Sequence, residues 1–316
     1  MVIKNGKCRN NCKEEIKKIK TPCYLKIKHK LSLLFFDFEE ISYDDFWSMI
    51  DDPNIEIEYK KYVILDKFDD RLPIYEIDHN PFTGELNKIL KEKYHLIENY
   101  IKTQKDVKEI IISKVNKRTP KTVVLYLIDG LSYVDYVEAQ IPYEGEPIFV
   151  NGETSTKNGL MNIIYGKNNI PIAKELQKFG YRCFGQTYWN RKNELTDILF
   201  RYFNEKYIFH SDEEIYNVIN KYRSSKKYIQ IYRGGLDEYA HKLRDISKKS
   251  IINKIKEIFE DINKLNDILN NIKEPYLVVI TSDHGIKWNF EDPHKKGNHK
   301  ELTFETCFVP LIIIEG

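Results

Sequence analysis

The order of apolar runs predicts an α/β sandwich, with a mainly parallel central sheet and helices on both faces, preceded by a small N-terminal α+β region. Three observations predict it. The run from Val123 to Ile128 (VVLYLI) is continuously apolar and of strand length, as suits a strand buried on both faces. Further strand-length runs follow at 147–150, 181–185, 228–232, 276–281 and 308–314. Helical spacing fills several of the intervals, and strand–helix alternation sustained over about 200 residues builds a layered α/β domain.

Taken in order, residues 1–118 differ from the rest. A short amphipathic helix is expected near 43–50, and the mixed runs at 61–68 and 71–77 read as strands with acidic turns between them. From Glu85 to Lys114 the residues Leu86, Ile89, Leu90, Tyr94, Ile97 and Ile101 recur at helical spacing. Residues 1–118 are therefore read as an accessory α+β region that carries no site motif. The character changes around Thr119, Pro120 and Lys121, and residues 119–316 are read as the α/β domain. Its helices are expected at about 157–165, 172–179, 213–222 and 238–272, the last with a break.

Bulk properties set further bounds. Of 316 residues, 41% are hydrophobic, enough for a real core, and the 31% that are charged nearly cancel, at +2. No single-sign imbalance announces a nucleic-acid backbone or an anionic membrane. The first twenty residues lack the apolar stretch of a secretory leader, and Leu31–Phe36 is too short to span a bilayer. Five cysteines make an odd count without a regular framework; Cys8, Cys12 and Cys23 lack a CxxC pair for zinc. A cytoplasmic protein with reduced thiols and no membrane partner is expected.

Four segments carry chemistry: LIDGLS (127–132), LDEYAH (236–241), TSDHG (281–285) and KGNHKE (296–301). Together they offer Asp129, Asp237, His241, Asp283, His284 and His299. Asp129 and Asp283 directly follow apolar runs, where parallel strands present their carboxyl ends to ligands. Asp237 and His241 are four apart, which puts them on one face of a helical turn. Each piece has a plainer reading: a turn or capping aspartate, a surface histidine, a surface loop at 287–299 in which His294 competes with His299. The combination, three carboxylates and three imidazoles, makes a ligand set for two divalent ions; zinc suits the histidines and manganese is compatible. Thr154, Ser155 and Thr156 precede a helical run. They read either as helix caps or as a hydroxyl nucleophile at a helix N-terminus that favours phosphate oxygens.

These residues together resemble the alkaline phosphatase superfamily of metal-dependent phosphohydrolases, over residues of about 120–316. The likeness is greatest to the type I phosphodiesterase and nucleotide pyrophosphatase branch and to the PglZ-type domain. It lies in the order LIDG, a threonine ten positions before Gly166, D-x-x-x-H, SDHG, G-x-H and a final strand containing Val309-Pro310-Leu311. The resemblance implies an alkaline-phosphatase-like fold, with Asp129, Thr156, Asp283 and His284 at one metal and Asp237, His241 and His299 at the other. It favours Thr156 as nucleophile over Thr154 and Ser155. It also implies a group that steadies a phosphate oxygen, for which Asn158 and Arg191, beside Lys157 and Asn190, are the candidates. The implied activity is phosphodiester or nucleotide pyrophosphate hydrolysis. A phosphomonoesterase or phosphonate hydrolase would use the same metals, and a PglZ-type module would instead bind a protein partner or nucleic acid.

Overall fold

The computed structural model describes residues 39–41, 62–64, 102–187, 194–242, 246–290, 296–300 and 304–316. The chain divides into two compact units, Met1–Ile101 and Lys102–Gly316. In the first, strands β1 (Glu39–Ile41) and β2 (Tyr62–Ile64) pair in parallel. Of the expected elements there, the helix at 43–50, the second strand run at 71–77 and residues 85–101 of the helical pattern lie outside the described residues. So do Cys8, Cys12 and Cys23.

The second unit is the expected sandwich: a mixed, mainly parallel sheet flanked by helices on both faces. In chain order its principal elements are α1 (Asp106–Arg118), β3 (Thr122–Ile128), α2 (Tyr133–Glu138), β4 (Gly145–Phe149), α3 (Thr156–Tyr165), α4 (Ile172–Lys178), β5 (Arg182–Thr187), α5 (Glu194–Phe200) and β6 (Ile208–Phe209). Then come α6 (Asp212–Lys221), β7 (Lys227–Arg233), α7 (Leu236–Lys242), α8 (Lys248–Ile272), β8 (Tyr276–Ser282), β9 (Lys287–Trp288), β10 (Gly297–Asn298), α9 (Phe304–Cys307) and β11 (Phe308–Glu315). The seven-stranded sheet runs β4-β11-β8-β3-β7-β5-β6. Strands β8, β3, β7, β5 and β6 are parallel, and β11 is antiparallel to both β8 and β4.

Strand β3 sits at the centre, and all seven of its residues are buried. Alternate residues point to opposite faces. Val123, Leu125 and Leu127 pack with α1, α3, α4 and α5 through Val107, Ile111, Leu160, Ile163, Leu176 and Leu199. On α8, Ile251, Ile255, Ile258, Phe259, Ile262, Leu265 and Leu269 form a buried stripe at helical spacing. This stripe, with a Ser247–Ser250 capping box, makes a long helix from a segment rich in Asn and Lys. Among the described residues no helix is long and apolar enough to cross a membrane.

Two features depart from the sequence reading. The change of character was placed at 119, but the second unit begins at Lys102. The reason is the stripe Val107, Ile111 and Val115, which buries α1 against the sheet. The short helices α2 and α5 were not expected; six- and seven-residue helices hold too few turns for a periodic signal.

Candidate metal centre

The register of three parallel strands sets the site. Ile128, the last residue of β3, lies opposite Arg233 of β7 and Ser282 of β8. The chain therefore leaves the sheet at one edge in three adjacent places, and Asp129 and Asp283 are the first residues beyond. Asp129 still bonds the sheet, donating its N–H to Arg233 O at 2.9 Å. Gly130 then turns the chain at φ +82°, a left-handed conformation that favours glycine. Its N–H donates to Asp283 Oδ1 at 3.1 Å, and the His284 N–H donates to the same oxygen at 2.9 Å. Asp237 and His241 occupy the first and second turns of α7. His299 follows β10, whose hairpin with β9 is pinned by Trp288 Nε1 donating to Asp135 Oδ2 at 2.9 Å. Burial holds the Asp135 carboxyl up at about 6.

All six sequence-predicted acids and imidazoles converge. His241 Nε2 lies 3.2 Å from Asp237 Oδ1 and 3.1 Å from His299 Nε2, and His299 Nε2 lies 3.6 Å from Asp237 Oδ1. On the other side His284 Nε2 lies 3.7 Å from Asp129 Oδ1 and 3.8 Å from Asp283 Oδ2. Donors around a tetrahedral zinc with bonds of about 2.0–2.1 Å are separated by about 3.3 Å, so the Asp237, His241 and His299 trio has the spacing of a coordination shell, and the distances from His284 to Asp129 and Asp283 are somewhat wider, at 3.7 and 3.8 Å. Asp237, His284 and His299 also offer donors within 4.8 Å of one another, as do Asp129, Asp283 and His284. His284 thus belongs to both groups, where the family resemblance implies only one.

The electrostatics favour a cation. Three carboxylates share a pocket, and burial, then Asp283, then Asp237, push the Asp129 carboxyl well above its usual range. Asp129 Oδ1 and Asp237 Oδ1 are buried without a hydrogen-bond partner among the described residues. A buried carboxylate oxygen without a donor is costly, and a divalent ion removes that cost. Burial, and next the neighbouring His284, lower the pKa of His299, which favours the neutral ring that binds metal. His299 Nδ1 donates to Thr154 O at 2.8 Å and leaves Nε2 as the ligand atom. The residues present fit divalent metal ions.

The three hydroxyls have separate partners. Ser155 caps α3, accepting from Asn158 N. Thr154 donates to His299 O. Thr156 alone faces the ligand group, with Oγ1 3.3 Å from His284 Nε2. Asn158 donates from Nδ2 to Asn151 O at 2.5 Å and to Glu153 O at 2.6 Å, so its amide nitrogen braces the loop before α3. Asn158, a candidate for steadying a phosphate oxygen, thus has both protons of its amide donated to backbone in this structure. Arg191, with Asn190, lies outside the described residues, as does His294.

Sequence reasoning missed the groups that hold this edge rigid. Gln104, fully buried, donates from Nε2 to Ser282 O at 2.9 Å and to Asp283 O at 2.7 Å. Nothing in the segment around Gln104 signals that role. Tyr232 OH donates to Asp283 Oδ2 at 3.4 Å; its place at the end of the YIQIY run was a usable signal. Gly159 lets α3 press on β8, since a Cβ there would lie 1.9 Å from Asp283 O. In an exposed helix, alanine in place of glycine stabilises by up to about 1 kcal/mol. Here Gly159→Ala should instead destabilise by about 1–3 kcal/mol, because the contact is with backbone on both sides. Thermal melting gives the sign directly, and a stabilised variant would refute this close approach.

No protein-family model matches the chain, and no curated protein does. Solved structures do. The chain is similar to the C-terminal periplasmic domain of the phosphoethanolamine transferase EptC from Campylobacter jejuni, at 11% identity over 62% of this chain and 80% of that one, with a TM-score of 0.42. It is similar to the C-terminal periplasmic domain of EptC from Escherichia coli in complex with Zn, at 14% identity over 61% and 72%, with a TM-score of 0.37. It is also similar to a protein in the alkaline phosphatase superfamily from Vibrio parahaemolyticus, at 14% identity over 62% and 60%, with a TM-score of 0.40. The expected cytoplasmic location is withdrawn, since two of these three structures are periplasmic domains.

Proposed function

We propose that this protein is a metal-dependent phosphoric ester hydrolase of the alkaline phosphatase superfamily, acting through Thr156 on phosphodiesters. One observation carries the reading: a hydroxyl at the first turn of a helix stands 3.3 Å from an imidazole shared by two groups of ligand donors. Asp129, Asp283 and His284 would hold one cation, with Thr156 beside it, and Asp237, His241 and His299 would hold the second. Bound divalent ions supply Lewis-acid neutralisation of phosphoryl oxygens and lower the pKa of a hydroxyl or water.

The chain's own groups do the rest. The N-terminus of α3 presents Thr156 with its backbone N–H groups and the positive end of the helix dipole toward an incoming phosphate. Thr156 loses its proton to solvent and Oγ1 forms a bond to phosphorus as the bond to the leaving oxygen breaks. The leaving alkoxide takes a proton from water. Water then attacks phosphorus of the threonyl phosphodiester intermediate, releasing the remaining half of the substrate as a phosphomonoester and restoring the hydroxyl. Three carboxylates leave two divalent ions with one positive charge in excess, which the Thr156 alkoxide balances; the preference for a diester rests on the resemblance to phosphodiesterases.

The test is metal analysis of the full chain, followed by turnover of aryl phosphodiesters and phosphomonoesters with added zinc or manganese. Two ions per chain with preferential diester hydrolysis is the expected result. Metal content near zero, with neither ester hydrolysed, would overturn the proposal. Faster monoester turnover would replace the diester by the monoester reading while keeping the site.

A further inference from the structure

We infer that Thr154 is a positioning residue, a clasp that joins the loop bearing the nucleophile to the loop bearing His299. The inference deepens the proposed function and rests on its reading of His299 as a metal ligand.

Thr154 is 1% exposed, and its hydroxyl donates to the backbone oxygen of His299. In return His299 Nδ1 donates to Thr154 O at 2.8 Å. Two residues far apart in sequence thus exchange two hydrogen bonds, one by a side chain in each direction. A buried threonine serving only its own loop would bond a carbonyl within three or four residues. This one bonds the backbone of a candidate ligand.

Both ends of the clasp bear on chemistry. On the His299 side, the ring is fixed with its proton on Nδ1, so Nε2 faces Asp237 Oδ1 at 3.6 Å and His241 Nε2 at 3.1 Å. Outer-shell bonds of this kind orient a ligating imidazole and set its tautomer. On the Thr154 side, Thr156 stands two residues on, with Oγ1 3.3 Å from His284 Nε2. The His284 ring in turn stacks on His299, with centroids 4.3 Å apart. The clasp, the stack and the hydroxyl contact form a closed circuit around the nucleophile. A shift of His299 therefore moves the hydroxyl loop as well as one metal.

The hydroxyl is the part that can be tested, because the Nδ1 bond goes to backbone and survives any substitution. Thr154→Val keeps the shape and removes the donor; Thr154→Ser keeps the donor. Zinc affinity of the full-length variants is measured by competition with a chromogenic chelator, with thermal melting as the check on folding. Thr154→Val should bind its weaker zinc about 10–100-fold less tightly, and Thr154→Ser within about threefold of wild type. If the valine variant fails to fold, Thr154→Ala is read in its place. Wild-type affinity in the valine variant, or a serine variant as weak as the valine one, would overturn the clasp. A wild-type chain that takes up no zinc would overturn the metal reading beneath it, which is a separate and distinguishable failure.

Discussion

Thr156→Ala should lower turnover by about 10³-fold or more while leaving both metals in place, the effect of deleting a covalent nucleophile whose supporting site survives. The structure gives reasons to expect such a clean separation. Thr156 is the first residue of α3, and Ser155 still caps the helix after the substitution. Alanine is the strongest helix former, so the helix loses nothing in propensity. The carboxylates keep their partners, since Asp283 is held by Gly130 N, His284 N and Tyr232 OH and none of these involves Thr156; the substitution removes only the 3.3 Å contact of Oγ1 with His284 Nε2. Metal analysis and steady-state kinetics on the same preparation check it. A slow diester should also trap its phosphoryl group, with the remaining ester attached, on the peptide containing Thr156 in the wild type and not in the variant, as mass spectrometry would reveal. Full activity in a metal-loaded Thr156→Ala protein would remove the covalent step and leave direct attack by water.

The extent to which this site was legible in the chain depends on where each residue stands relative to a strand. Asp129 and Asp283 were readable because VVLYLI and YLVVITS are unbroken apolar runs that lead straight into them. Their proximity then needed only that the two strands be parallel and adjacent, as β3 and β8 are. Asp237 and His241 were readable from a four-residue spacing that α7 realises. Direction was less visible. An apolar run does not say which way a strand points, and the last strand, β11, runs antiparallel to its neighbours.

Partition of the ligands was hidden as well. His284 reaches both donor groups because its ring lies between Asp129 and His299, and that depends on side-chain direction, which chain order does not record. Gln104 was beyond reach altogether. It sits in a segment with no motif, and its part in the site follows from α1 packing on the sheet, a tertiary outcome. The three hydroxyls show the same division. Sequence placed all of them at a helix start, and only packing separates cap, clasp and candidate nucleophile.

Asp283→Asn should lose both metal and activity, and yet give a metal-free protein no less stable than the wild type. The first half follows from ligand charge. Asp283 Oδ2 is one of the donors facing His284 Nε2, at 3.8 Å, and an amide there offers a neutral, weaker ligand. Affinity should fall by more than the roughly 10–100-fold that losing an outer-shell partner costs. The second half follows from repulsion. Without a cation, Asp129, Asp237 and Asp283 crowd their charges; burial first, and then Asp283 and Asp237, push the Asp129 carboxyl up. Asparagine removes one of the three charges and keeps the oxygen that accepts from Gly130 N and His284 N. Tyr232 OH, the donor to Oδ2, can turn to accept from the new amide. Melting curves in chelator and in excess zinc separate the terms: the wild type should gain substantially from zinc and the variant little. A variant that keeps full metal content would take Asp283 out of the ligand set. One that melts well below the metal-free wild type would show that the carboxylate holds the fold and that crowding among the three acids is a minor cost.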